Sequence, residues 1–247
     1  MILAAVFACL LIASAVAVRT PVITTGVRIL LVVALLVGLL TGFAYLLRLF
    51  AQRPKTLYPA VFFAALFVLW AVLGSKPPNV EMLRGAYVSR LTRFTGVRYV
   101  WGGETDKGID CSGLARVALW QATLYEGVKA ANPRMLGPLL WRFWSRDLSA
   151  RDILEGRYGY TTRIGGAPKL AGFDTASLLA GDMAVTRDGR HLLVYLGDGK
   201  WIDAAPDYQR VIILPAPAES ARKWHNVPVD LVRWRVLLPK VVQSHTR

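Results

Sequence analysis

Residues 1 to 74 contain no acidic side chain, and most of that length falls into uncharged apolar runs. Three stand out: Met1 to Val18, Ile29 to Leu47 and Thr56 to Ser75. Each is close to the roughly 20 residues that carry a helix across a bilayer, where a backbone must satisfy its own hydrogen bonds. Three transmembrane helices are therefore expected, with residues 1–75 as a membrane anchor. For the first run a cleaved signal peptide is the alternative, since Ala13, Ala15 and Ala17 are small, yet no Lys or Arg precedes it. The flanking charges conflict. Arg48, Arg53 and Lys55 draw one loop to the cytoplasm and send the chain after Ser75 outside, whereas Arg19, Arg28, Lys76 and Arg84 argue the reverse. Charge alone leaves the side of the C-terminal part open.

The remainder is a different polymer. Residues 75–247 hold 25 of the 30 basic and all 16 acidic side chains, a net of +9. With 8 Trp, 9 Tyr and 9 Phe in the chain, it has the material for a packed core and is not disordered. Only Cys9 and Cys111 exist, and Cys9 lies within an apolar run, which excludes a disulfide framework.

After the break at Pro77-Pro78-Asn79, the spacing of Met82, Leu83, Ala86, Tyr87, Arg90 and Leu91 predicts an amphipathic helix over Val80 to Phe94. A glycine-bearing loop, Tyr99 to Gly113, then runs into a helical pattern over Leu114 to Tyr125. Thr123 to Leu178 reads as short helices and loops, with Ser149-Ala150-Arg151-Asp152 as a helix cap. Beyond Gly181-Asp182 the period becomes that of strands: Met183 to Thr186, Leu192 to Leu196, Trp201 to Ala204, Val211 to Leu214 and Leu231 to Leu238. In the last, Val232, Trp234 and Val236 alternate with Arg233 and Arg235, as in a sheet with one solvated face.

Cys111 falls where the glycine loop becomes a helix. There the unpaired amides favour thiolate, the glycines let backbone approach a ligand, and Asp110 or Ser112 can cap the helix. Of three histidines, His191 opens a predicted strand. Asp203 shares its face only in one register. A two-residue turn at Asp198-Gly199 sets Asp203 opposite Val194, on the wrong face, whereas a three-residue loop of Gly197, Asp198 and Gly199 sets it opposite Leu193. The three-residue loop is expected, bringing the carboxylate within reach of the imidazole.

Tyr99, Trp101-Gly102-Gly103, Gly108, Asp110-Cys111-Ser112-Gly113, the segment Leu178 to Asp182, and His191 with Tyr195-Leu196-Gly197 together resemble the NlpC-type cell-wall cysteine peptidases over about residues 80 to 240. The resemblance implies an α+β, papain-like fold, its N-terminal helices packed on a mostly antiparallel sheet, which would follow the three transmembrane helices expected from the apolar runs. Residues 76–247 would form this domain, with an insertion at about 123–178. It implies Cys111 as nucleophile, His191 as base and Asp203 as orienting residue, with Tyr99, Trp101, Gly102, Asp110 and Ser112 around the oxyanion and the substrate. The implied substrate is a peptidoglycan stem peptide, cut at a γ-D-glutamyl to diamino-acid bond, and the implied location is the cell-wall side of a multi-pass membrane protein. The family usually has His, Asn or Gln where Asp203 stands, and often glycine at Leu193.

No cofactor is expected, and no metal, since neither paired Cys nor a His-Glu-x-x-His spacing occurs. Wall polymers and lipid headgroups account for the positive charge without nucleic acid. Glu104, Asp106 and Lys107 read as a solvated loop tip, and Trp141 to Arg146 as core plus rim or a membrane-interface patch. The rivals are an inactive wall-peptide or partner-binding domain, and a thiol amidase or acyltransferase acting elsewhere.

Overall fold

The computed structural model describes residues 21–22, 25–215 and 223–239, with only the backbone of Thr25 and Pro54. It opens with α1 (Thr25–Gln52) and α2 (Leu57–Leu73), joined by a short 3-10 turn at Pro54–Thr56. Among the described residues one helix, over Gly26–Gln52, is long and apolar enough to cross a membrane. This corrects the expectation of three. The third run, Thr56 to Ser75, is trimmed by Pro54 and Gly74 to the 17 residues of α2, about 25 Å of helix and short of a typical hydrocarbon core. The first, Met1 to Val18, lies outside the described residues.

The rest builds from α3 (Val80–Arg93), the two-residue strands β1 (Glu104–Thr105) and β2 (Gly108–Ile109), and α4 (Cys111–Lys129). Asn79 caps α3, its side chain accepting from the amides of Glu81 and Met82. Leu83, Tyr87 and Leu91, one face at helical spacing, are fully buried against α4 and the sheet, while Met82 is exposed. The Trp234 indole donates to the Tyr87 hydroxyl at 3.1 Å and ties α3 to the sheet.

After α4 come a π-helical turn at Met135–Leu139, α5 (Leu140–Ser145) and α6 (Ala150–Leu154), the last opened by a capping box between Ser149 and Asp152. The six-stranded sheet comprises β3 (Thr161–Ala167), β4 (Met183–Thr186), β5 (Leu192–Gly197), β6 (Lys200–Ala205), β7 (Arg210–Pro215) and β8 (Val229–Trp234), ordered β3-β8-β4-β5-β6-β7 with every pair antiparallel. Strand β3 was not foreseen: its glycines and Arg163 blur the period, but it forms the edge beside β8, so residues 123–178 supply part of the sheet.

Both faces of this sheet are covered. Met183, Val185, Leu192, Val194, Ile202 and Val232 pack towards the helices, while Ala184, Leu193, Tyr195, Trp201 and Leu231 meet Leu170, Leu178 and Phe173. The solvated face expected from β8 is thus not solvated. Arg233 is buried and bonds Asp182, itself 0% exposed, through Nε at 2.5 Å and Nη2 at 2.6 Å. The chain also leaves the sheet earlier than expected, turning into a 3-10 helix at Arg235–Leu237.

Candidate active site

Asp110 organises the start of α4. As N-cap, its Oδ1 accepts from the amide of Gly113 at 2.6 Å and the hydroxyl of Ser112 at 2.9 Å. Its Oδ2 accepts from the amide of Gly102 at 2.8 Å. One carboxylate therefore joins the glycine loop to the helix that begins with Cys111. The packing is tight enough to demand glycine: a Cβ on Gly113 would lie 2.2 Å from the Gly103 carbonyl oxygen. Asp110 and Ser112 direct these polar atoms to each other and to backbone, and so position the start of the helix. Trp101 is 80% exposed on the turn of this loop.

His191 stands immediately before β5. The Thr186 hydroxyl accepts from its amide at 3.0 Å, and the Thr186 amide donates to its carbonyl at 2.9 Å, closing the four-residue turn that presents the ring. Nε2 of the ring lies 2.8 Å from Asp203 Oδ1, both residues almost wholly buried. The Cys111 thiol lies close enough to the ring to act on its protonation. With Nε2 committed to Asp203, Nδ1 is left for the thiol.

Burial acts to lower the pKa of this imidazole, but the hydrogen bond to Asp203 and the influence of the Asp203 carboxylate and the Cys111 thiol outweigh it, and the pKa is raised to about 10. Tyr99 sits beside the same groups. Burial first, then the charges of Cys111, Asp110 and Asp203, push its phenol well above the usual range, so it stays an O–H donor.

Asp203 reaches His191 by a route other than the one expected. Gly197 pairs with Lys200 across a two-residue turn, whose Asp198 and Gly199 both have positive φ, as a type I′ turn requires. The ladder then slips at Leu196, because the next pairs are Tyr195 with Trp201 and Val194 with Ile202. Continuing that register sets Asp203 across from Leu193. The face is as expected, but a bulge supplies the offset that a longer loop was expected to give.

Two contributors were missed. Trp224 stacks on the His191 ring with centroids 4.6 Å apart, and Thr186 grips its backbone. Neither lies in a motif; each is met through a turn or a distant loop. Glu104 also departs from its reading as a solvated tip. It is buried at 9% exposure, pairs with Arg28 of α1 and with Arg116 of α4, and its amide donates to the Pro21 carbonyl at 2.8 Å. Among the described residues no group of His, Cys, Asp and Glu could hold a metal ion.

The family model described as "NlpC/P60 family" matches residues 96–227, more than half of the chain, with Cys111, His191 and Asp203 inside it. The chain belongs to the NlpC/P60 family. Solved structures similar to it include the NlpC/p60 domain of the peptidoglycan hydrolase SagA, 19% identical over 61% of this chain and 97% of that one, with a TM-score of 0.36. The peptidoglycan hydrolase RipB from Mycobacterium tuberculosis is 21% identical over 65% of this chain and 68% of that one, with a TM-score of 0.39. NlpC1 from Trichomonas vaginalis is 18% identical over 61% of this chain, which spans only 43% of it, with a TM-score of 0.39. No curated protein matches the chain.

Proposed function

We propose that this NlpC/P60 protein is a membrane-anchored cysteine peptidase that hydrolyses peptide bonds of peptidoglycan stem peptides at the γ-D-glutamyl to diamino-acid linkage, on the wall side of the membrane. The observation that carries the chemistry is the gathering of thiol, imidazole and carboxylate in one place: Asp203 holds His191 Nε2 at 2.8 Å, and Cys111 acts on the protonation of the same ring.

An imidazole this basic takes the thiol proton on Nδ1, and Asp203 stabilises the imidazolium and fixes its orientation. The thiolate attacks the substrate carbonyl, and imidazolium then protonates the departing amine. Water, deprotonated by the same imidazole, hydrolyses the thioester and restores the thiol. In the first turn of α4 the amides of Gly113 and Leu114 are engaged by Asp110. Those of Cys111 and Ser112 then serve the oxyanion together with the Tyr99 hydroxyl, and removing one such donor costs a factor of about 100 or more in rate. A cavity of about 400 Å³ borders Asp203 and carries Lys223 beside Asp207, opposite charges that suit a peptide bearing both carboxylate and amine. Anchoring rests on α1.

The test incubates the full chain with peptidoglycan fragments and follows products by mass spectrometry, beside Cys111→Ala and His191→Ala. Cleavage that disappears in Cys111→Ala and falls by a factor of about 100 to 10,000 in His191→Ala supports the reading. A folded wild type that cleaves nothing, and whose Cys111 resists a thiol-directed probe, favours the binding-domain alternative.

A further inference from the structure

Two cavities meet between α1 and the folded domain. The first, of about 430 Å³, is walled by Arg28, Arg93, Glu104, Asp106, Arg116 and Trp120. The second, of about 780 Å³, is walled by Leu31, Val32, Leu35, Trp120, Trp141 and Trp144. Trp120 and Trp144 line both, so the two adjoin at these side chains, a charged end beside an apolar end of one groove along α1. Arg28, Leu31, Val32 and Leu35 stand at i, i+3, i+4 and i+7, a single stripe of α1. At 1.5 Å per residue the wall passes from guanidinium to leucine over about 10 Å. That profile matches a membrane lipid read from its phosphate into its chains.

The charged end holds buried donors with no acceptor. Nε of Arg28, Nε of Arg116 and the indole N–H of Trp120 are buried and unpaired, although Arg28 and Arg116 satisfy Glu104 and Asp147 through their terminal nitrogens. Buried N–H groups seek partners, and three such donors at the head of an apolar groove suit a group with several anionic oxygens. Glu104 does not oppose this, being neutralised by two guanidiniums. Arg93, exposed on the rim, adds positive charge, and Asp106 beside it can receive a headgroup amine. Trp141, more than half exposed, and its partner Trp144, with ring centroids 5.4 Å apart, belong to the residue type that favours the bilayer interface.

We propose that this groove binds one phospholipid of the bilayer in which α1 stands. Its phosphate meets Arg28, Arg116 and Trp120, and one chain lies along Leu31, Val32 and Leu35 beneath Trp141 and Trp144. This rests on α1 being a membrane helix, not on the peptidase reading.

The full chain, purified in a non-ionic detergent, is titrated with phosphatidylglycerol or phosphatidylethanolamine and measured by native mass spectrometry. One saturable adduct per chain with either lipid is expected. Trp120→Phe keeps an aromatic ring but removes the donor and should weaken it about tenfold. Leu35→Trp fills the apolar end and should abolish it. Non-saturating adducts indifferent to both substitutions overturn the proposal, as does an adduct seen only after residues 1–20 are removed, since those residues would then occupy the groove. Alkaline carbonate extraction of membranes carrying the full chain separates the premises: a chain released by carbonate sinks the membrane reading of α1, whereas one retained without a specific adduct sinks the lipid site.

Discussion

At the scale of single residues, His191 is the member of the site whose protonation the surroundings change most. Its pKa is raised from 6.5 to about 10, so the imidazolium is the resting form at neutral pH. Its contribution to folding is complete below the unfolded value near 6.5 and is lost as pH rises through about 10. The midpoint of thermal unfolding should therefore fall between these limits in the wild type, with a weaker slope in His191→Ala. Activity should share the upper limit, because a deprotonated imidazole cannot protonate the leaving amine. Asp203→Asn keeps a hydrogen-bonding partner at Nε2 but removes the negative charge. It should lower kcat/KM about tenfold, the difference between a charge-assisted and a neutral hydrogen bond, and shift the alkaline limb of the pH profile down. An unmoved limb would remove Asp203 from the role of orienting the base. Cys111, His191 and Asp203 were legible in sequence because a glycine loop feeding a helix and two strands of period two fix their places. Trp224 and Thr186 were not, because their contacts with His191 depend on how a distant loop and a four-residue turn fold back, which no local period records.

At the scale of elements, helix α3 and strands β4 to β7 lie within two residues of where the pattern put them, since the helix has one repeating apolar stripe and the strands are short apolar runs bounded by turn residues. The errors came where polar residues were read as exposed. The alternation in β8 predicts a solvated Arg233, yet it is bidentate to Asp182, which also accepts the Leu179 amide at 2.8 Å. A buried pair is indistinguishable in sequence from two solvated charges, as the partners lie 51 residues apart. Removing one of them leaves the other charged in the interior. Asp182→Ala should cost about 3–5 kcal/mol of stability, and replacing both with apolar residues of similar volume should recover most of it. Equilibrium unfolding of the two variants measures the difference; a cost no larger than about 1 kcal/mol for Asp182→Ala would mean that water reaches the pair. Gly113→Ala acts between elements in a different way. Its Cβ would meet backbone rather than a yielding side chain, so the loop bearing Gly103 must part from α4. Cleavage should fall while Cys111 itself remains, which thiol titration of the variant would show.

At the scale of the whole molecule, α1 and the folded domain after it are not independent parts on a tether. Pro21 accepts the Glu104 amide, Arg28 binds the Glu104 carboxylate, and Glu104 in turn holds Arg116 of the cysteine helix, which reaches Asp147 at 2.8 Å. The division into 1–75 and 76–247 that composition suggests thus cuts through the support of the loop that presents Cys111. A fragment of residues 76–247 would leave Glu104 with one guanidinium instead of two and its amide without the Pro21 acceptor. The expected result is faster hydrogen exchange at the Gly102 to Ile109 amides than in the full chain, together with lower kcat/KM on soluble stem peptides, which need no membrane to reach the site. Arg28→Ala in the full chain isolates the charge and should reproduce part of the loss, destabilising the protein by about 1–3 kcal/mol. Equal exchange and equal turnover in fragment and full chain would show that α1 gives the loop no support. Faster exchange with unchanged turnover would show that the loop tolerates motion on its outer side because Asp110, through Gly102, Ser112 and Gly113, already fixes the inner side where the thiol stands.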